Sequence, residues 1–91
     1  EDKSGSVMTA LYRISDTDVE AAEFILHENT PHLGIPLKDL EIRKGFLIVA
    51  LLHENQVVVP SGGTVLSPGD RVIVISHGQG IQTFRDIFLK P

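Results

Sequence analysis

The chain has 91 residues, a formal net charge of −4, no cysteine and few aromatic residues. This length fits one domain, and the absence of cysteine excludes disulfides and thiolate metal sites. Eight Lys and Arg against twelve Asp and Glu exclude the basic face that nucleic-acid binding requires, so we expect no nucleic-acid partner.

The N-terminal region begins with a polar segment, residues 1–6, that is typical of a linker. Three apolar residues then recur at a spacing near that of a helix: Val7, Leu11 and Ile14. This spacing favours a short helix that runs into a strand. A strand through Leu11 and Ile14 that turns at Asp16 is the alternative allowed by the same residues.

Residues 19–27 predict the first clear strand, because Phe24 and Leu26 fall on one face. A polar loop follows. Pro36 suits the first turn of a short helix, which Gly45 ends.

The most apolar segment is Phe46 to Leu52, and its continuous apolar character is typical of a strand covered on both faces. It is far shorter than the ~18 residues of a membrane span, so we expect no direct membrane insertion. A hairpin turn at residues 53–55 leads into a return strand over residues 56–59, which Pro60 ends.

The C-terminal third contains one more strand and one more helix. The turn at Gly69-Asp70 precedes an apolar strand over residues 71–76. A stripe of apolar residues then predicts a closing amphipathic helix: Ile81, Phe84, Ile87 and Phe88. The expected fold is therefore α+β, a small and mostly antiparallel sheet of four or five strands with two helices.

Two short helices can hardly cover both faces of the strand Phe46 to Leu52. We therefore expect a second copy of the domain to bury the remaining surface. This predicts a homodimer whose interface includes Phe46, Ile48 and Val49.

The four histidines do not form a metal motif in the sequence. His27-Glu28 and His53-Glu54 are adjacent pairs whose members point to opposite faces of a strand, and neither is followed by a His four residues later. His32 and His77 lie at a loop and a strand end. We expect surface histidines and no metal site.

No arrangement of nucleophile and base is evident either, so we expect no enzyme activity. Ser61-Gly62-Gly63 leads into a short strand and is predicted to be a turn, and Asp70 follows Gly69 where its carboxylate can accept backbone hydrogen bonds. Arg43 has two interpretations: a cation at the end of a helix, or a group that faces a phosphate.

Six segments form one longer pattern with fixed order. They are Ala22-Glu23-Phe24, Leu33-Gly34-Ile35-Pro36-Leu37-Lys38-Asp39-Leu40, Ile48-Val49-Ala50-Leu51, Val57-Val58-Val59-Pro60, Thr64-Val65-Leu66 and Gly69-Asp70-Arg71-Val72-Ile73-Val74. In this combination, the stretch from Val19 to Phe88 resembles the TrkA-C (RCK-C) domain family, the C-terminal regulatory lobe of potassium uptake and channel-gating proteins.

The resemblance implies a cytoplasmic, dimerising regulatory domain, residues 19–91, that controls potassium transport through a membrane-embedded transporter subunit. Residues 1–18 would then connect it to a preceding nucleotide-binding lobe. NAD or ATP is expected only on that lobe, because no G-x-G-x-x-G motif occurs in this chain. The same module within a cation antiporter or an anion transporter, and a purely structural dimerisation domain, are the alternatives.

Some members of the family bind cyclic di-AMP between two copies of the domain, which makes this nucleotide a possible effector here. The resemblance carries their ligand pattern onto Ile42, Arg43 and Pro60, and a ligand there would also contact Leu47 and Ile48. Aliphatic side chains would sandwich a base while Arg43 meets a phosphate. A symmetric dinucleotide suits a two-fold groove, since each half meets the same residues.

Overall fold

The structure, a computed structural model, describes residues 5–89 of the chain. In that range one antiparallel sheet contains five strands: β1 (Ser6–Arg13), β2 (Val19–Leu26), β3 (Phe46–His53), β4 (Gln56–Val58) and β5 (Arg71–His77). Their order across the sheet is β1-β2-β5-β3-β4, so β5 lies in the centre and β1 and β4 form the edges.

The predicted antiparallel sheet is confirmed. Strands predicted at residues 19–27, 46–52, 56–59 and 71–76 form with ends that differ by one residue at most. Two 3₁₀ turns, Leu37–Asp39 and Phe84–Ile87, are the helical segments among residues 5–89. The fold is therefore mostly β, and the part of the prediction that placed two α-helices beside the sheet is wrong.

The segment for which a short helix running into a strand was favoured, Val7 to Ile14, lies in strand β1 and the turn after it, as the alternative interpretation had it. An irregularity in the β1–β2 pairing falls between Met8 and Ala10. It places Val7 opposite Ile25 and Leu11 opposite Ala22, so these two members of the apparent helical stripe lie on opposite faces of the strand. The helix-like spacing in the sequence does not correspond to a shared face in the fold.

Because β1 pairs along β2, residues 6–13 are part of the sheet rather than a separate linker. Residues 1–4, within the predicted linker, lie outside the described residues. The division of the chain at residue 18 stays a prediction.

The closing segment buries the side chains that were predicted to be buried, but its backbone is not the predicted amphipathic helix. Phe84 and Ile87 are fully buried, and Ile81 and Phe88 are nearly so. Only residues 84–87 are helical, as a single 3₁₀ turn. Three residues per turn align side chains at i and i+3, which is the spacing of Phe84 and Ile87, while Ile81 lies before the turn.

One face of the sheet, here the inner face, carries the hydrophobic core. Phe24, Val72 and Val74 point to this side and are fully buried. Side chains from loops and from the closing segment pack over them: Leu66, Ile81, Phe84, Ile87 and Phe88. Phe84 stands at the centre, with ring centroids 5.6 Å from Phe24 and 5.2 Å from Phe88.

The opposite, outer face is largely apolar as well, yet it is only partly covered. Its side chains alternate with those of the core along the strands: Ala21, Glu23 and Ile25 on β2, Arg71, Ile73 and Ile75 on β5, and Leu47, Ala50 and Leu52 on β3. Leu47 is 60% exposed. The expected cover on both faces of β3 is thus not provided by residues 5–89.

The three residues predicted for a dimer interface do not share one environment. Phe46 and Ile48 lie in the core of their own chain. Val49 is half-buried at an irregularity in the β3–β5 pairing. The homodimer itself stays a prediction.

Across residues 5–89, the structure contains no helix long and apolar enough to cross a bilayer.

Candidate functional site

A shallow cavity of about 290 Å³ lies beside the start of β3. Four of the five residues predicted to contact an effector line it: Ile42, Leu47, Ile48 and Pro60. Leu37, Lys38, Ser61 and Gly62 complete the wall. We call this the β3 cavity. Its apolar wall with one cationic side chain suits a flat apolar group that carries an anion.

The backbone fixes the two sides of the β3 cavity relative to each other. The amide of Leu37 donates to the carbonyl of Thr64 at 2.9 Å, and that of Lys38 donates to the carbonyl of Gly62 at 2.9 Å. The first 3₁₀ turn is thereby attached to the loop after Pro60. That loop is the predicted turn, closed by the Thr64 amide on the Ser61 carbonyl at 3.1 Å.

Ile42 is positioned by the C-terminal segment. It forms an isolated β-bridge with Phe88, and the amide of Leu89 donates to the carbonyl of Glu41 at 2.9 Å. The segment that leads from the first 3₁₀ turn to β3 is therefore held against the closing segment, and Ile42 faces the β3 cavity.

Arg43, the fifth predicted contact, does not line the β3 cavity. Its guanidinium donates to the carbonyl of Asp86 at 3.0 Å and to Oε1 of Gln79 at 3.3 Å. It also lies 5.7 Å from the ring centroid of Phe46. These contacts tie the start of β3 to the closing segment, a structural role that neither sequence interpretation included.

Gly45 makes this arrangement possible. Its φ of 94° lies in the left-handed region, and a β-carbon at this position would stand 2.9 Å from the carbonyl oxygen of His77. The amide of His77 donates to the Gly45 carbonyl at 2.8 Å. Only glycine fits this turn without displacement of β5.

A second polar cluster lies at the other end of β3. Nδ1 of His53 donates to Oδ1 of Asp70 at 2.6 Å, and the side chain of Asp70 is only 2% exposed. Oδ2 of Asp70 accepts the amide of Ser67 at 3.0 Å. The predicted use of Asp70 to accept a backbone amide is confirmed, but its partner His53 was not predicted.

The Asp70 carboxylate raises the pKa of His53 above its ordinary value of 6.5. The hydrogen bond contributes most, followed by the negative charge of Asp70 and then that of Glu54, while partial burial acts in the opposite direction. A protonated His53 thus fixes the β3–β4 hairpin to the turn before β5.

His77 and His32 make separate contacts and form no common site. His77 lies 3.2 Å from a carboxylate oxygen of Asp18, with both side chains exposed. His32 packs against the ring of Phe88 at 4.7 Å. Among residues 5–89, no three His, Asp or Glu side chains are grouped to hold a metal ion.

Sequence reasoning missed two features of these sites. Lys38 and the Ser61-Gly62 turn reach the β3 cavity only because the first 3₁₀ turn bonds to the loop after Pro60. The pairing of His53 with Asp70 follows from the register that sets Leu52 opposite Arg71. Both features depend on contacts between residues that are distant in the chain. A partial signal for the second one was present in the sequence, because Gly69-Asp70 before an apolar strand indicated a structural role for Asp70.

Comparison with known proteins extends the resemblance. The family model described as the TrkA-C domain matches residues 21–89. The chain is 25% identical over 84 residues to the Trk system potassium uptake protein TrkA homolog 2 of Methanosarcina mazei, an alignment that covers 92% of this chain. It is 32% identical over 72 residues to the Trk system potassium uptake protein TrkA homolog of Pyrococcus abyssi, which covers 78% of this chain.

A relative of another transport class matches the same region. The chain is 32% identical over 69 residues to the K(+)/H(+) antiporter NhaP2 of Shewanella sp. (strain ANA-3), which covers 76% of this chain. The chain spans only 19%, 32% and 12% of the length of these three relatives, respectively.

Proposed function

The chain belongs to the TrkA-C domain family, and from this membership we propose that it is a regulatory domain of a potassium transport protein. In this proposal it works in the cytoplasm, pairs with a second copy of itself, and acts on a membrane-embedded transporter subunit. It carries out no chemistry of its own. Its contribution is to make the state of the transporter depend on a bound effector.

The observation that carries the proposal is the β3 cavity. Four residues that the resemblance assigned to an effector line one cavity in the fold, where Pro60 meets the segment from Ile42 to Ile48. Its volume of about 290 Å³ is just below the ~300–1,000 Å³ range of small-molecule sites. Two such cavities across a two-fold axis would supply the full site for a symmetric ligand.

The effector we propose is cyclic di-AMP. Ile42, Leu47 and Pro60 provide aliphatic surface for an adenine, and Lys38 supplies a positive charge on the same wall. Arg43 is the second candidate for the phosphate contact. It reaches the ligand only if its guanidinium leaves the carbonyl of Asp86 and the amide of Gln79.

Regulation then follows from differential binding. An effector that fits one arrangement of the pair better than another favours that arrangement. A coupling of ~1–3 kcal/mol would shift the transporter equilibrium about 5–150-fold.

Titration calorimetry with cyclic di-AMP tests the effector directly. We expect saturable binding with one ligand per two chains. Leu47→Asp should abolish it, because Leu47 is exposed at the cavity and the new carboxylate repels phosphate. Lys38→Gln should weaken it roughly 10–150-fold, the loss of one charge-assisted contact.

Arg43→Ala is the matched comparison for Lys38→Gln. A greater loss of affinity with Arg43→Ala than with Lys38→Gln would assign the phosphate contact to Arg43. An absence of heat with the wild-type chain at high micromolar ligand would remove cyclic di-AMP from the proposal and leave a purely structural dimerisation domain as the supported alternative.

The match to a K(+)/H(+) antiporter supports a second candidate, the same regulatory module within an antiporter. The sequence that adjoins this domain in its full-length protein separates the two. A dinucleotide-binding lobe before residue 1 would indicate a Trk-type regulator, whereas a series of membrane-spanning helices would indicate a carrier.

A further inference from the structure

The outer face of the sheet is a largely apolar surface. Ile73 and Ile75 on the central strand β5 are flanked there by Ala21 on β2 and by Leu47 and Ala50 on β3. The five strands measure roughly 24 Å across and ~23 Å along, a footprint of about 550 Å². With the relief of the side chains, this comes near the ~600 Å² per partner at which specific interfaces begin.

A pair of opposite charges lies within the aliphatic part of this surface. Glu23 on β2 and Arg71 on β5 lie 3.7 Å apart, at 29% and 43% exposure. Oε1 of Glu23 also accepts the hydroxyl of Thr9 at 2.7 Å, which fixes its position. At the end of β5, His77 lies opposite Val19 on the same face and pairs with Asp18. Within the aliphatic part of the outer face, Glu23 and Arg71 place one acid beside one base.

We propose that the outer face is the surface through which two copies of this chain pair, with Glu23 of each copy against Arg71 of the other. This inference rests on the pairing included in the proposed function, and it names the surface. Two sheets stack face to face at ~10 Å. A two-fold axis through the Glu23–Arg71 pair places each carboxylate beside the guanidinium of the second copy.

The charge pattern selects a second copy over an unrelated partner. A surface with one acid beside one base is complementary to itself after a two-fold rotation. The distance of 3.7 Å within one chain is an ion pair beyond hydrogen-bond range, so each group can form its closer contact across the interface. Aliphatic residues around the pair would exclude water from it.

The experiment compares two charge reversals, Glu23→Arg and Arg71→Glu, by sedimentation equilibrium at micromolar concentration. The wild type should have twice the 10.0 kDa mass of the chain. Each variant alone should be a monomer, because four like charges would meet at the axis. An equimolar mixture of the two variants should return to the dimer mass, since one copy then carries two cations and the other two anions.

Arg13→Glu and Glu20→Arg form the matched control. Arg13 and Glu20 also form an ion pair, 3.0 Å apart, but the register places them on the inner side of the sheet, opposite Ser76. Both control variants should keep the dimer mass. Circular dichroism should show the same strand content for all four variants.

Three results decide the matter. A wild-type monomer would overturn both this inference and the pairing in the proposed function. A dimer that persists in both Glu23→Arg and Arg71→Glu would overturn the inference alone. Monomeric variants that fail to reassociate on mixing would also overturn it, because the reciprocal contact is its central claim.

Discussion

The two faces of the sheet are built from similar residues but differ in burial. On β5, Val72 and Val74 are fully buried under the closing segment, while Ile73 and Ile75, which alternate with them, are only partly covered. Both faces alternate with the two-residue period of a strand. Hydrophobic pattern therefore identifies the strand, whereas the position of Phe84 and its neighbours decides which face becomes the core.

The faces also differ in how they hold charge. On the inner side, Asp70 is nearly fully buried and bonded to both His53 and the Ser67 amide. On the outer side, Glu23 and Arg71 keep a longer separation and remain partly hydrated. A buried carboxylate requires partners for both of its oxygens, and an exposed pair does not. The inner pair should therefore matter for stability and the outer pair for association.

The largest difference should come from truncation of the side chain that covers the inner face. Phe84→Ala removes a fully buried ring and should lower the free energy of unfolding by about 3–5 kcal/mol. Val57→Ala, on a side chain that is 76% exposed, should change it by less than about 0.5 kcal/mol. Urea denaturation at one protein concentration measures both. Equal losses would erase the distinction between the faces.

The next effect should come from the inner charge. Asp70→Asn keeps the shape of the side chain but removes its charge, and should cost about 1–3 kcal/mol. Arg71→Gln, at the adjacent position on the outer face, should cost less than about 1 kcal/mol in the isolated chain. If Arg71→Gln proves the more destabilising in unfolding experiments on monomeric protein, the assignment of the two pairs is reversed.

The inner pair should also make stability depend on pH. Because the folded state raises the pKa of His53, its contribution is complete below about pH 6.5 and is lost as the pH rises through the folded value. Asp70 and Glu54 are the charged groups that face it. Wild type should therefore exceed His53→Gln in stability by more at about pH 6 than at about pH 9. A constant difference between the two proteins would contradict this.

The smallest effect should come from a polar group within the core. Oγ of Ser76 is buried and has no hydrogen-bond partner among the described residues. Ser76→Ala should leave the free energy of unfolding unchanged or raise it by up to about 1 kcal/mol. Thr30 is the comparison, since its buried hydroxyl donates to the Gly5 carbonyl and accepts the His27 amide. Thr30→Ala should lower stability, and a similar loss in Ser76→Ala would show that its hydroxyl is satisfied.

Short-range rules predicted most of the sheet. The alternation at Phe24 and Leu26, the apolar run from Phe46 and the strand after Gly69-Asp70 were sufficient to place four strands, because each depends on a few adjacent residues. Near the N-terminus the same rules favoured a helix, because Val7, Leu11 and Ile14 recur at a helical spacing although Val7 and Leu11 lie on opposite faces of β1. The closing stripe was correct about burial and wrong about the backbone, since a three-residue spacing fits a 3₁₀ turn as well as a helix.

The sequence by itself determined the alternation of apolar side chains and most of the turns, and it placed four of the residues that line the β3 cavity in one group. Only the tertiary structure decided which face of the sheet is covered, that Lys38 joins the cavity while Arg43 bonds to Asp86, and that His53 meets Asp70. The physical reason is the distance along the chain over which each kind of interaction acts. Backbone preference and periodicity act between neighbours, whereas cover and charge pairing are set by contacts between residues far apart in the chain.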